Sequence, residues 1–177
     1  MITLETDRLL FRRIDELDLN ELSALYADPD VMKYYPRTRS KDETRDAIKS
    51  YQKRYAEDGI SLMAAVRKAD NKLIGRCGII LQVIDNEVFP EVGYMFDKSV
   101  WREGLGTEAA KAFLDYGFEQ LSYPEMICII HPLNLASQKV AQKIGMQLRR
   151  YAIYDNVECQ IYSILRSTWL SLIDSRN

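Results

Sequence analysis

The chain has 177 residues, of which 47% are hydrophobic and 28% charged, with a net charge of −2 and a pI near 5.6. This is an ordinary soluble globular balance, long enough for one domain over residues 1–177 to bury about 70% of its unfolded surface. Interspersed charge without a basic run argues against a nucleic-acid partner, and the lack of a long apolar run argues against a membrane span.

Met1-Ile-Thr-Leu-Glu-Thr-Asp7 lacks the charged-then-apolar layout of a signal peptide, so the expected compartment is the cytoplasm. Leu4 to Arg13 mixes apolar and charged residues as a strand does. Asp15 to Tyr26 then carries Leu19, Leu22, Leu25 and Tyr26 at helical spacing, with acids in its first turn. The Asp28-Pro29-Asp30 break follows. Ser40-Lys-Asp-Glu43 has capping-box spacing and opens a helix expected to end near Gly59. Ser61 to Arg67, Leu73 to Leu81 and Val88 to Phe96 read as strands joined by turns at Ala69-Asp70-Asn71 and Asp85-Asn86-Glu87, an antiparallel meander.

After Gly104 the period changes. Leu105, Ala109, Ala110, Phe113, Leu114 and Gly117 share one helical face, and a strand follows at Met126 to Ile130. A second helix, Leu135 to Lys143, leads to strands near Met146 to Ile153 and Val157 to Leu165 around a hairpin turn at Asp155-Asn156. The sum is an α+β domain, antiparallel in its first half with a βαβ-like crossover in its second. Cys77, Cys128 and Cys159 are odd in number and far apart, and read as small buried hydrophobes. No His/Cys/Asp/Glu spacing suggests a metal.

Chemistry concentrates in two strand-turn-helix units. The first is Glu91-Val-Gly-Tyr94-Met95-Phe96, then Trp101-Arg102-Glu103-Gly104-Leu105-Gly106-Thr107. Free N–H groups and the positive dipole end at such a helix start attract phosphate, and glycine lets a ligand approach the backbone. Alone, Gly-x-Gly reads as a tight turn, and the stretch also fits a relaxed dinucleotide fingerprint. Its position after a meander, with about 70 residues left, argues against a nicotinamide and leaves another phosphate-bearing cofactor. The second unit is His131-Pro-Leu-Asn134-Leu-Ala-Ser137, running to Lys143-Ile-Gly-Met146. Here Asn134 reads as a helix cap, and Lys139 and Lys143 as one solvated helix face that a cofactor phosphate within reach would use. Glu91 is a charged residue in a central strand, costly unless solvated or paired, and so a candidate cleft-facing carboxylate. The single histidine, His131, gives no support to a Ser-His-Asp triad.

Together with Leu4-Glu-Thr-Asp-Arg-Leu-Leu-Phe-Arg12, Tyr26-Ala-Asp-Pro-Asp-Val-Met32 and Leu73-Ile-Gly75-Arg-Cys-Gly78, these motifs resemble the GNAT N-acetyltransferase superfamily nearly end to end. The similarity is greatest to the branch of ribosomal-protein N-terminal (RimJ/RimL-like) acetyltransferases. The resemblance implies a mostly antiparallel sheet of about seven strands, splayed in its middle and flanked by about four to five helices. It implies acetyl-CoA, without a metal, as cosubstrate. Its pantetheine arm would lie on the backbone near Tyr94, Met95 and Phe96, and its pyrophosphate on the turn from Trp101 and Arg102 to Thr107. Asn134, Ser137, Lys139 and Lys143 would complete the cofactor site. The implied reaction is direct attack of a primary amine on the thioester, with Glu91 as base. The tyrosine that often serves as acid is replaced by Ala141, which leaves Ser137 for that part. A peptide N-terminus, a polyamine, an amino sugar or another small amine all remain open as acceptor, as does homodimer formation. A catalytically weak acyl-CoA-binding regulatory module is the alternative.

Overall fold

The computed structural model describes residues 4–174. In chain order its elements are β1 (Leu4–Glu5), β2 (Leu9–Arg13), α1 (Leu19–Ala27), α2 (Lys41–Asp58), β3 (Leu62–Arg67), β4 (Lys72–Ile84) and β5 (Glu87–Phe96). They continue as α3 (Leu105–Glu119), β6 (Glu125–Ile130), α4 (Leu135–Lys143), β7 (Gln147–Tyr154), β8 (Val157–Leu165) and α5 (Arg166–Asp174). All strands join one eight-stranded sheet ordered β1-β2-β3-β4-β5-β6-β8-β7. Pairing is antiparallel except between β5 and β6, where α3 makes the crossover that a parallel step requires.

Strand alternation divides the sheet into two faces. Cys77 and Ile79 of β4, with Val92 and Phe96 of β5, pack with Leu105, Ala109 and Phe113 of α3, Ala141 of α4 and Trp169 of α5. Arg76 of β4, with Glu91 and Met95 of β5, points the other way. There Leu22, Leu25 and Tyr26 of α1 and Ile48 of α2 form a second core with Ala64, Val66 and Met95. A third cluster, Ile84, Ile127, Ala152 and Ile161, fills the same face under the β7–β8 hairpin. Glu91 therefore stands on the α1–α2 face, between two apolar clusters.

Local chemistry explains the element ends. The Ser40 side chain accepts from the Glu43 N–H (3.2 Å) and Glu43 accepts from the Ser40 N–H (2.8 Å), completing the expected capping box. Gly59, at φ 73°, closes that helix. Asp155 and Asn156, at φ 50° and 63°, make the tight hairpin that the sequence pattern predicts. All three cysteines are free and buried.

Three features differ from the sequence reading. Leu4 to Arg13 is two strands, because Thr6 donates its N–H to the Leu9 carbonyl (2.9 Å) and accepts the Leu9 N–H on Oγ1 (3.1 Å). This turn makes the sheet eight-stranded. The first helix starts at Leu19 after a 3-10 turn, because the Asp18 carboxylate is held by Arg12 (2.6 and 2.8 Å) and by the Asp15 N–H (3.0 Å). The sequence reading also gave no helix over Arg166–Asp174, which anchors through Trp169, whose indole donates to Asp115 (2.8 Å).

Candidate active site

β5 and β6 share one ladder pair, Glu91 with Ile127, and separate from there toward Phe96. Two side chains satisfy carbonyls of β5 along the opening. The Cys128 thiol lies 3.3 Å from the Val92 oxygen, and the Trp101 indole N–H donates to the Phe96 oxygen (2.9 Å). Trp101 thus closes the far end of β5 with its own side chain, and its ring is 47% exposed. Between these contacts, the β5 backbone at Gly93 to Met95 faces a gap that a polar chain with amide groups fits as a missing strand would.

The gap leads to the start of α3. Asp97 caps a short 3-10 turn at Ser99 (2.8 Å), after which Arg102 (φ 68°) and Gly104 (φ 83°) reverse the chain. The helix begins without a side-chain cap, and its first internal bond is from the Glu108 N–H to the Gly104 oxygen (3.0 Å). α2 and α4 are both capped by side chains. The N–H groups of Leu105, Gly106 and Thr107 therefore have no partner within the helix. A Cβ at Gly106 would meet only ordinary contacts, Phe96 at 3.9 Å and Val140 at 4.0 Å. The polypeptide thus does not itself demand glycine there, so the vacant space fits a ligand lying against the backbone.

Arg8 braces this turn from β2's side of the molecule. Its Nε donates to Glu108 Oε2 (2.7 Å), its Nη1 to the Glu103 carbonyl (2.9 Å), and Thr6 Oγ1 donates to Glu108 Oε1 (2.5 Å). Burial alone pushes the Glu108 carboxyl up, but the bonds from Thr6 and Arg8 hold it below its ordinary value. A depressed folded-state value stabilises the fold above the ordinary glutamate range, and that stability is lost as pH falls through the depressed value. Arg8→Ala is expected to lower stability by about 1 kcal/mol, since the pair is half exposed. Melting curves at pH 7 and pH 3 check this effect, which shrinks in acid.

In α4, Asn134 caps the helix by accepting the Ser137 N–H on Oδ1 (3.1 Å). The Ser137 carbonyl accepts the Tyr94 hydroxyl (3.1 Å), so Tyr94 ties β5 to the first turn of α4. Lys139 and Lys143 are exposed, as a solvated helix face requires, and Ala141 is fully buried.

Glu91 is 9% exposed and receives a hydrogen bond from Gln82 Nε2 (2.8 Å). Burial raises its carboxyl above the ordinary value, although Gln82, the Ile129 amide, Arg76 and Arg54 each favour the ionised form. Tyr154 of β7 lies beside it, its phenol pushed up to about 12 by burial and by Glu91. On the same face Arg76 is 6% exposed, with its Nη2 3.5 Å from the Tyr35 hydroxyl and its guanidinium 5.7 Å from the Tyr26 ring. The Tyr26 and Tyr51 hydroxyls meet at 2.7 Å. Tyr34 stacks against His131 (5.4 Å), whose Nδ1 accepts the Leu133 N–H (3.1 Å). Tyr35, between the first two helices, thus reaches this face.

Glu91 and Tyr94 to Phe96 lie along β5, which runs on into the turn through Thr107, and Tyr94 joins β5 to the start of α4 at Ser137, where Asn134 caps the helix. Sequence reasoning did not single out Gln82, Arg54, Arg76 or Arg8. For Arg76 and Gln82 the only signal was alternation, since they share one face of β4 with Ile84; Arg54, on α2, and Arg8, between β1 and β2, had not even that.

The model of the acetyltransferase (GNAT) domain matches residues 8–147, and the chain belongs to that family. Among curated relatives, the uncharacterized protein YkkB of Bacillus subtilis (strain 168) is 41% identical over 144 residues, 81% of this chain and 84% of that one. A GNAT-family acetyltransferase from Bacillus anthracis superposes with a TM-score of 0.79 at 26% identity, covering 94% of this chain and 99% of its own. RimL, a ribosomal L7/L12 α-N-protein acetyltransferase solved with coenzyme A, shares the fold with a TM-score of 0.77 at 16% identity, over 93% of this chain and 98% of its own.

Proposed function

We propose that this protein transfers the acetyl group of acetyl-CoA to a primary amine. The observation that carries this is the β5–β6 opening, with a buried carboxylate at its apex and an uncapped helix start at its end. The binding of coenzyme A by RimL, which has the same fold, agrees with it. The backbone of Gly93 to Met95 would hold the pantetheine arm, and the Arg102-to-Thr107 turn the pyrophosphate. Asn134 and Ser137, at the start of α4, would complete the cofactor site, and the exposed Lys139 and Lys143 would meet a CoA phosphate.

In this reading Glu91 takes a proton from the amine, whose nitrogen bonds to the acetyl carbon as the carbon–sulfur bond breaks. A buried glutamate with a raised pKa is a stronger base than an ordinary one and is better matched to an amine near neutrality. An α-amino group, at about 8, needs little of this help, and a lysine, at about 10.4, needs about 3 kcal/mol. The departing thiolate is a good leaving group, so its proton matters less, and Ser137 stands where Ala141 offers none.

Acetyl-CoA is expected to raise the melting temperature, with a stabilisation of about 2.7 kcal/mol at a hundredfold excess over Kd, whereas NAD is expected to leave it unchanged. A scanning-fluorimetry shift with NAD and none with CoA would reverse the cofactor assignment. An amine screen read by thiol release tests turnover. Tight CoA binding with no release from any amine would favour the regulatory module, for which the buried alanine at position 141 is the motivating observation.

A further inference from the structure

Arg76 is a guanidinium 6% exposed, yet no ion pair joins it to a carboxylate among the described residues. Its Nε has no hydrogen-bond partner at all. Burial works most strongly against its charge, and the phenols of Tyr26, Tyr51 and Tyr35 favour it. A buried cation kept without an anion is costly, and it persists where something outside the chain completes it. Tyr35, itself 40% exposed, connects this charge to the surface.

The charge stands on the acceptor side of the proposed reaction centre. Arg76 and Glu91 share one face of the sheet, where Arg76 pairs with Met95 and Glu91 pairs with Ile80. Arg54 of α2 bears on Glu91 from the helix layer. A polyamine would bring further positive charge to a face where two arginines act on one carboxylate, which is the wrong sign of complementarity.

We propose that Arg76 determines acceptor specificity, and that the acceptor is an amine that also carries a carboxylate, held by Arg76 while the amine is presented to Glu91. The proposal rests on the acetyl-transfer reading. Four residues of β4 separate Arg76 from the partner of Glu91, about 13 Å along the strand. The two groups of the acceptor are therefore several bonds apart, as in a peptide whose second residue is acidic or a longer ω-amino acid, and not as in an α-amino acid.

The test compares matched amines with and without the acid: 5-aminopentanoate against pentylamine, and Ala-Glu amide against Ala-Gln amide, each with acetyl-CoA. The wild type should favour the acid of each pair by about 10- to 100-fold in kcat/KM, the range of a hydrogen bond to a charged group. Arg76→Gln should remove that preference with the KM for acetyl-CoA unchanged, and Arg76→Lys should restore part of it. The apo Arg76→Gln protein should melt no lower than the wild type, since it no longer buries an unpaired charge.

Equal rates for both members of each pair in the wild type, or a preference for spermidine over either acid, would overturn the proposal without any variant needing to fold. So would an unchanged preference in Arg76→Gln. Tyrosinate absorbance from the wild type near neutral pH would overturn it as well, since a phenolate would then be the anion of Arg76. Should no amine release thiol, the acetyl-transfer reading falls by itself. Calorimetry of the same pairs against CoA-saturated protein then decides, and equal affinities overturn the role of Arg76.

Discussion

Glu91→Gln is expected to lower kcat by about 100- to 10,000-fold while leaving CoA affinity within a few-fold, the range that a positioned general base supplies. The structure adds a pH signature. Burial raises the Glu91 carboxyl, so its basic form is lost as pH falls through a value above the ordinary glutamate range. The acidic limb of the wild-type kcat profile should therefore lie above that range, and the glutamine variant should lack it. Stability moves in the opposite direction. A carboxyl whose folded-state value is raised favours the fold below its unfolded value, near 4.3, and loses that contribution as pH rises through the folded value. At neutral pH the neutral carboxamide should thus melt no lower than the wild type, with Gln82 still in hydrogen-bond reach. A large loss of turnover without loss of stability separates a base from a packing residue. Ser137→Ala should cost far less. Near-normal turnover of Glu91→Gln with an unchanged acidic limb would pass the role to another group, His131 first, whose Nδ1 is already engaged by the Leu133 N–H.

How much of this was readable before the fold is clearest in particular residues. The capping box at Ser40, the αL glycine at position 59 and the Asp155-Asn156 hairpin are determined by neighbours in the chain, and each stands where its pattern predicts. α4 runs over Leu135–Lys143 as read, because Asn134 caps it locally. By contrast, the division of β1 from β2 hangs on one threonine turn, and the late start of α1 on an aspartate captured by Arg12. Neither has a periodic signature. The same limit applies to the site. A helix start with two glycines and a carboxylate in a strand are visible as sequence, but the bond from Gln82 to Glu91 joins two strands and needs the β4–β5 register. Arg76 looked like any charged strand residue; its significance is that it is buried without an anion, which only packing reveals.

The strongest test of the cofactor assignment is at Gly106, where Gly106→Glu is expected to weaken CoA binding by more than about 100-fold, or about 3 kcal/mol. The physical reason is double. A carboxylate added at the start of α3 competes for the free N–H groups, and its charge repels a pyrophosphate brought to the same turn. The fold should tolerate the change, because Gly106 is not at positive φ and its Cβ would meet nothing nearer than 3.9 Å. An acid in a first helical turn is also a favourable neighbour of the dipole when no ligand is present. Gly106→Ala sharpens the comparison. A glycine-to-alanine change inside a helix stabilises by up to about 1 kcal/mol, so the apo protein should melt higher while CoA binding weakens. Gly104→Ala should do the reverse to stability, since φ 83° strains any residue with a Cβ by about 1–2 kcal/mol. Calorimetry with CoA and melting curves of the three variants read these effects independently. Unchanged CoA affinity in a folded Gly106→Glu protein would remove the phosphate site from α3, and the paired rise in stability and fall in affinity for Gly106→Ala is the pattern that only a ligand lying on this backbone produces.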